Sequence, residues 1–156
     1  MIKEPITFLF TGRSGCGKGT QIKLLREYLE NNDTRPVVYI YAGKKLRELA
    51  ERRENFTAEL AQKIITLGRK QPDFLAVWAW AREMIDEMKE GAHLIFDGSP
   101  RSAIEAEIMD EMLVFYGREK ICPVFLEVSE EWASLRLAER GRSDDTKEGI
   151  KNRMEF

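Results

Sequence analysis

Short apolar runs alternate along the chain with longer stretches in which apolar residues recur at three- and four-residue spacing. Ile6 to Phe10 is β-branched and aromatic and breaks at a glycine-rich turn, which predicts a strand. Thr20 to Leu29 places Ile22, Leu25 and Leu29 on one helical face and ends at the polar Asn31-Asn32. Val37 to Tyr41, behind Pro36, is a continuous apolar run of the kind a buried strand presents. Lys44 to Arg53 and Ala58 to Leu67 have helical spacing, and Gly68 supplies a stop. Asp73 to Lys89 reads as a longer helix with Leu75, Trp78, Ala79, Ile85 and Met88 on its apolar side. Leu94 to Phe96 is the next strand and opens into Asp97-Gly98, and Ile104 to Phe115 is a helix closed by Gly117. Ile121 to Val128 reads as a strand and Glu130 to Glu139 as a helix. Asp144 to Met154 is the last helix, its start marked by Asp144 and Asp145.

Strands that alternate with helices, and are themselves apolar throughout, predict an α/β fold with a parallel sheet covered on both faces. No repeat, low-complexity stretch or linker divides the chain, so residues 1–156 are expected to form one domain. In open parallel sheets ligands bind beyond the carboxyl ends of the strands. Chemistry is therefore expected in the residues that follow strands.

Composition narrows the partners. A formal net charge of −2 excludes a bulk electrostatic partner such as duplex DNA or an anionic membrane. It leaves room for small anions held by clustered arginines. The two cysteines, Cys16 and Cys122, form no metal-ligand pattern and read as reduced thiols. The apolar run before Gly12 is too short for a signal or membrane anchor, and no later segment approaches a span. A cytoplasmic protein is expected.

Gly12-Arg13-Ser14-Gly15-Cys16-Gly17-Lys18-Gly19-Thr20 follows the first expected strand and opens the first helix. Glycines let the backbone wrap an anion closely, with amide N–H groups pointing inward and a helix N-terminus adding partial positive charge. Lys18 offers an ammonium to the β- and γ-phosphates of a nucleotide, and Thr20 a hydroxyl to phosphate or to a magnesium shell. The general phosphate-loop pattern wants Ser or Thr directly after the lysine; here Gly19 stands there and Thr20 comes one later. Cys16 reads as a small residue that fits the loop.

Gly12 to Gln21 resembles the phosphate loop of the adenylate kinases and the related UMP/CMP kinases. Asp97-Gly98-Ser99-Pro100-Arg101 resembles their Asp-Gly-Phe-Pro-Arg motif. Gly141-Arg142-Ser143-Asp144-Asp145, followed by Ile150-Lys151-Asn152-Arg153, resembles the segment that ends their lid. Gly43 to Arg47 and Gly68 to Asp73 are looser matches to their monophosphate-binding lobe. The resemblance implies a three-layer P-loop fold, a central parallel sheet covered by helices, with strand order 2-3-1-4. It also implies a monophosphate lobe at about 42–72 and a short lid at about 136–145. The family continues with a fifth strand and a last helix beyond the position of Phe156, so a C-terminally truncated chain is expected.

The activity so implied is reversible, magnesium-dependent phosphoryl transfer from ATP to a nucleoside monophosphate, by a monomer. Gly12, Gly15, Cys16, Gly17, Lys18, Gly19 and Thr20 would hold ATP, and Arg136 would stack on its base. Ala42, Gly43, Arg47, Gly98, Arg101 and Glu105 would hold the monophosphate. Lys18, Arg101, Arg140, Arg142 and Arg153 would be catalytic. Thr20 and Asp97 would hold Mg2+, largely through water, and Asp144 and Asp145 would orient the lid arginines. The chemistry agrees, since phosphoryl transfer needs positioning and charge stabilisation, which planar guanidinium forks provide.

Some positions depart from the family. Ser99 replaces a phenylalanine, Ser14 a common proline, and Lys44 an aspartate. Ala42 is threonine in typical adenylate kinases and alanine in UMP/CMP kinases. Glu105 stands where adenylate kinases place a glutamine that reads adenine. An ionised carboxylate only accepts hydrogen bonds, so it suits the two N–H groups of guanine better than adenine. AMP remains the nominal acceptor, with GMP, CMP or UMP open, and an unusually weak preference for AMP over GMP is expected. The alternative is an ATP-binding module without turnover. The lid carries no four-cysteine zinc set, so no structural metal is expected. His93 is expected at the surface, and at least one of Trp78 and Trp80 in the core.

Overall fold

The computed structural model describes residues 2–142 and 144–155; Ser143 of the lid motif and the terminal Phe156 lie outside the described residues. Four parallel strands, β1 (Thr7–Thr11), β2 (Val37–Ile40), β3 (His93–Asp97) and β4 (Ile121–Phe125), lie in the order β2-β3-β1-β4. Helices α1 (Lys18–Asn32), α2 (Ala42–Arg52), α3 (Phe56–Thr66), α4 (Asp73–Glu87), α5 (Ala103–Phe115), α6 (Glu130–Arg140) and α7 (Lys147–Met154) complete the α/β fold. The expected element types and strand order are those observed.

β3 is buried along its whole length, and its side chains alternate between two cores. Leu94 and Phe96 pack with Val38 and Ile40 against Leu46, Ala50, Leu75, Trp80, Met84, Met109 and Leu113 from α2, α4 and α5. Ile95 faces the other way and packs with Phe10 against Ile22 and Leu29 of α1. Trp80 meets the Phe96 ring edge-on at 6.3 Å, a favoured aromatic geometry. Continuous apolar strands follow from this two-sided burial.

Four details differ from the sequence reading. α4 buries Leu75, Ala76, Ala79, Trp80, Glu83 and Met84, whereas Trp78 and Ile85 are 43% and 68% exposed. The stripe is displaced because Glu83 belongs to it: its carboxylate accepts the Tyr41 backbone N–H at 2.8 Å, so a charged residue is satisfied on the inner face. His93 is fully buried rather than at the surface. Its Nδ1 accepts the Ile6 N–H at 3.1 Å and its Nε2 lies 3.1 Å from Asp33 Oδ2, tying the amino ends of β1 and β3 to the end of α1. α7 starts at Lys147, capped by the Thr146 hydroxyl that accepts the Gly149 N–H, because Asp144 and Asp145 are engaged by arginines. β4 ends at Phe125, where its ladder with β1 ends, and Pro123 is tolerated in it because β4 pairs on one side only.

Candidate active site

The chain leaves the carboxyl end of β1 at Thr11, turns through the glycine-rich loop and enters α1 at Lys18. α1 has no acidic residue in its first turn, so its positive pole is left open to an anion. Lys18 Nζ folds over the loop, donating to the carbonyls of Gly12 at 2.6 Å and Arg13 at 3.0 Å, with Cys16 Sγ at 3.5 Å. Cys16 is buried beneath the loop. Above it lies a groove of about 660 Å³ lined by Gly15, Gly17, Lys18, Gly19 and Thr20, within the roughly 300–1,000 Å³ of small-molecule sites. Gly12 lies outside this groove, lining a neighbouring hollow.

β3 delivers Asp97 into the same groove, where its carboxylate accepts the Tyr39 hydroxyl at 2.7 Å. Burial, reinforced by the Asp97 charge, raises the Tyr39 hydroxyl far above its ordinary pKa and keeps it a donor. Gly98 follows at φ 72°; a Cβ there would sit 2.9 Å from the Arg101 guanidinium and 3.6 Å from Lys18 Cε. A glycine at this point lets the loop lysine and Arg101 come together. Arg101 Nε donates to the Gly98 carbonyl at 2.6 Å, which fixes its fork toward the groove.

From the other side α6 supplies Arg136, whose guanidinium lies 5.0 Å over the Trp132 ring, and Arg140. Arg140 grips Asp145 with two bonds of 2.8 and 2.7 Å. Arg153 of α7 reaches Asp145 and Asp144, each at 2.5 Å. Burial pushes the Asp145 carboxyl upward, but the Arg140 and Arg153 guanidiniums outweigh it and hold the carboxyl below its ordinary value. The two aspartates thus hold arginines rather than start a helix. Arg142 Nη1 donates to the Tyr41 hydroxyl at 3.3 Å, and Arg47 stands 5.1 Å over the same ring.

A second cavity adjoins the groove and is lined by Ala42, Gly43, Arg47, Gly98, Arg101 and Glu105, with Arg140, Arg142 and Arg153 at its border. Glu105 is 0% exposed and neither of its carboxylate oxygens has a hydrogen-bond partner. Burial pushes its carboxyl upward, opposed by the charges of Lys70 and Arg101 and by the Arg101 backbone N–H, which faces it without reaching hydrogen-bond geometry. The site residues read from the sequence therefore converge on two joined cavities, apart from Gly12 at their margin and Cys16 beneath the loop.

Sequence reasoning missed Tyr39, Tyr41, Lys70, Gln71 and Trp132, which also line these cavities. The tyrosines were open to discovery, because they stand at the end of β2, where a parallel sheet puts its chemistry. Lys70 and Gln71 fall within Gly68 to Asp73, the stretch that resembles the monophosphate lobe, but nothing in that stretch singles them out.

The pattern of the AAA domain family matches residues 11–151, from the end of β1 into α7. The chain is 32% identical to adenylate kinase 1 of Nostoc sp. over 95% of its own length and 76% of the relative's. Identity is 33% with the adenylate kinase of Phocaeicola vulgatus, covering 96% and 77% of the two chains. With that of Parabacteroides distasonis it is 35%, covering 92% and 74%. The chain belongs to the adenylate kinase family. It is a phosphotransferase of the nucleoside monophosphate kinase type, built on a P-loop fold. No helix among the described residues is long and apolar enough to cross a membrane.

Proposed function

We propose that the protein transfers the γ-phosphoryl group of ATP, reversibly and with magnesium, to a nucleoside monophosphate. The observation that carries this reading is a shared wall: Arg101, Arg140 and Arg142 line both the groove over the phosphate loop and the adjoining cavity. A phosphoryl group passing from one ligand to the other would cross between these forks. An oxygen of the acceptor phosphate attacks the γ-phosphorus, the new P–O bond forms as the bond to the β-phosphate oxygen breaks, and ADP leaves. The protein's part is to align the two ligands and stabilise spreading negative charge, which Lys18 and the arginines do.

The phosphate loop, Gly12 to Thr20, holds the ATP phosphates, and Arg136 beside Trp132 supports its base. Arg47 and Arg101 hold the acceptor phosphate, with Ala42, Gly43 and Gly98 leaving room for the nucleoside. Thr20 and Asp97 face the same groove with hard oxygen donors, a set that suits Mg2+ with water completing its shell. When bound, that ion would neutralise phosphate charge. Arg140, Arg142 and Arg153 close over the transferring group, with Asp144 and Asp145 orienting Arg140 and Arg153. The lobe at about 42–72 and the lid at about 136–145 close over both ligands and exclude the water that would otherwise hydrolyse ATP. The reading includes a monomer working in the cytoplasm, with AMP as nominal acceptor in keeping with the names of its relatives.

A coupled assay of ADP formation with AMP, GMP, CMP and UMP tests the proposal. Lys18→Ala is expected to lower turnover at least ~10³-fold. Arg101→Ala is expected to raise the monophosphate KM and lower kcat, because a misaligned acceptor oxygen loses reaction geometry. ATP binding without turnover of any monophosphate, or near-wild-type rates in both variants, overturns it.

A further inference from the structure

The acceptor cavity contains a buried carboxylate that no described residue satisfies. Glu105 lies in the first turn of α5, fully buried, with both oxygens lacking a hydrogen-bond donor. A buried acceptor left unpaired is costly, and a charged one more so, which points to a donor arriving with a ligand. Lys70 Nζ stands 3.8 Å from Glu105 Oε1, beyond hydrogen-bond reach, and makes its short contact with Asp73 at 2.6 Å instead. The same cavity is walled by the apolar Ala42, Leu46, Ile65 and Ala76, a lining for a flat heterocycle, and it also holds the phosphate-binding forks of Arg47 and Arg101.

We infer that Glu105 and Lys70 are the base-reading pair of the acceptor site, and that they fit an edge with two adjacent N–H donors beside a carbonyl oxygen. That is the edge of guanine, so GMP is accepted at least as well as AMP. The assignment rests on the monophosphate kinase reading for what occupies the cavity. The two Glu105 oxygens accept N1–H and N2–H of guanine, while the Lys70 ammonium donates to O6 beside N1. Partners of two neighbouring ring positions stand a little further apart than a hydrogen bond, as Nζ and Oε1 do. Adenine meets this pair only in part. Its N6 amino group can donate to one oxygen and its N1 can accept from Lys70, but the edge has no third group, so the second buried oxygen stays unpaired.

A protonated Glu105 would reverse the logic, because a carboxylic acid offers one donor and one acceptor and would read adenine. Burial favours that form. Lys70 from the turn before α4 and Arg101 from the turn before α5 oppose it, while Asp73 at the start of α4 works with burial. Charge at the pair is thus what the base is read by, and pH is a handle on it.

The test uses the full chain with AMP, GMP and inosine monophosphate, which keeps O6 and N1–H and lacks the N2 amino group. Equilibrium binding by calorimetry and initial rates are measured side by side. The expected order is GMP above inosine monophosphate, with kcat/KM for GMP equal to or above that for AMP. Glu105→Gln is expected to shift both the binding and the kcat/KM ratio toward AMP by ~10- to 100-fold. Lys70→Met, on a half-buried turn residue, is expected to weaken binding of both bases, GMP at O6 and AMP at N1, and it serves if Glu105→Gln does not fold. A wild-type preference for AMP above ~10-fold at every pH tested, a ratio indifferent to Glu105→Gln, or base binding indifferent to Lys70→Met overturns the inference. AMP turnover with such an indifferent ratio leaves the kinase reading standing and removes this one. A GMP preference in binding that depends on Glu105, with no turnover of any monophosphate, does the reverse.

Discussion

Asp33 collects three donors at the end of α1: the Arg35 backbone N–H at 3.1 Å, the Arg35 guanidinium at 2.7 Å and the His93 ring at 3.1 Å. The backbone N–H is the largest influence and, against the opposing effect of burial, the set holds the carboxyl at about 2 rather than 3.8. A carboxyl depressed in the folded state contributes stability that is present above its unfolded value and lost as pH falls through its folded value. The window is therefore from 3.8 down to about 2. Asp33→Asn is expected to lower the Tm at pH 7 and to flatten its decline across that window. Thermal melts by circular dichroism at pH 7, 4 and 2.5 check this, and parallel declines in the two proteins would remove Asp33 from the account. Neither this cluster nor Glu105 was legible as structure in the sequence. Burial of a polar side chain is decided by what packs over it from elsewhere in the chain, whereas Lys18 or Arg101 could be read because neighbouring residues fix their setting.

At the scale of elements, α3 and α7 meet almost backbone to backbone. Gly68, just past the end of α3, has φ 65°, and a Cβ there would run into the carbonyl of Gly149 in the first turn of α7. Asn152 of α7 also donates to the Leu67 carbonyl at 2.7 Å. Gly68→Ala is expected to cost at least ~1 kcal/mol from backbone strain alone, since the opposing group is main chain and cannot swing aside. A fall in Tm of at least ~2 °C would register it, and an unchanged melting curve would show that the two helices separate freely. Sequence gave Gly68 its role as a stop but not as a seat for α7. Periodicity locates α4 yet misplaces its inner face, because an apolar pattern cannot include Glu83, whose carboxylate takes an inner position by accepting the Tyr41 N–H. The start of α7 is misread for a related reason: Asp144 and Asp145 carry the signature of a helix start, but Arg140 and Arg153, on the helices either side, hold them instead.

Across the whole molecule, alternation of apolar runs and helical stretches implied a parallel sheet, while the order of its strands came only through the family resemblance. The four or five residues of a strand cannot announce their neighbours; pairing is a property of the sheet. One margin of that sheet, β4, presents Ile121 and a 69% exposed Phe125 on one face, and on the other Val124 and Leu126, which line a shallow apolar groove with Phe8, Leu24 and Leu25. Apolar side chains on a strand margin with no pairing partner among the described residues favour association between copies once the protein is warmed or concentrated. Ile121→Lys is expected to raise the concentration at which light scattering appears on heating, with little change in Tm; scattering that starts at the same concentration would place the sticky surface elsewhere.

The catalytic end of the sheet and its amino end are thus separate districts, and the latter holds the chain's one histidine. With Nδ1 occupied by the Ile6 N–H, the proton of His93 sits on Nε2 and points at Asp33. An NMR spectrum of the aromatic region therefore carries a single imidazole, in a single tautomer, shielded from solvent. Its Nε2 proton should exchange only when β1, β3 and α1 part company, so one resonance can clock global opening while nucleotides come and go at the far end.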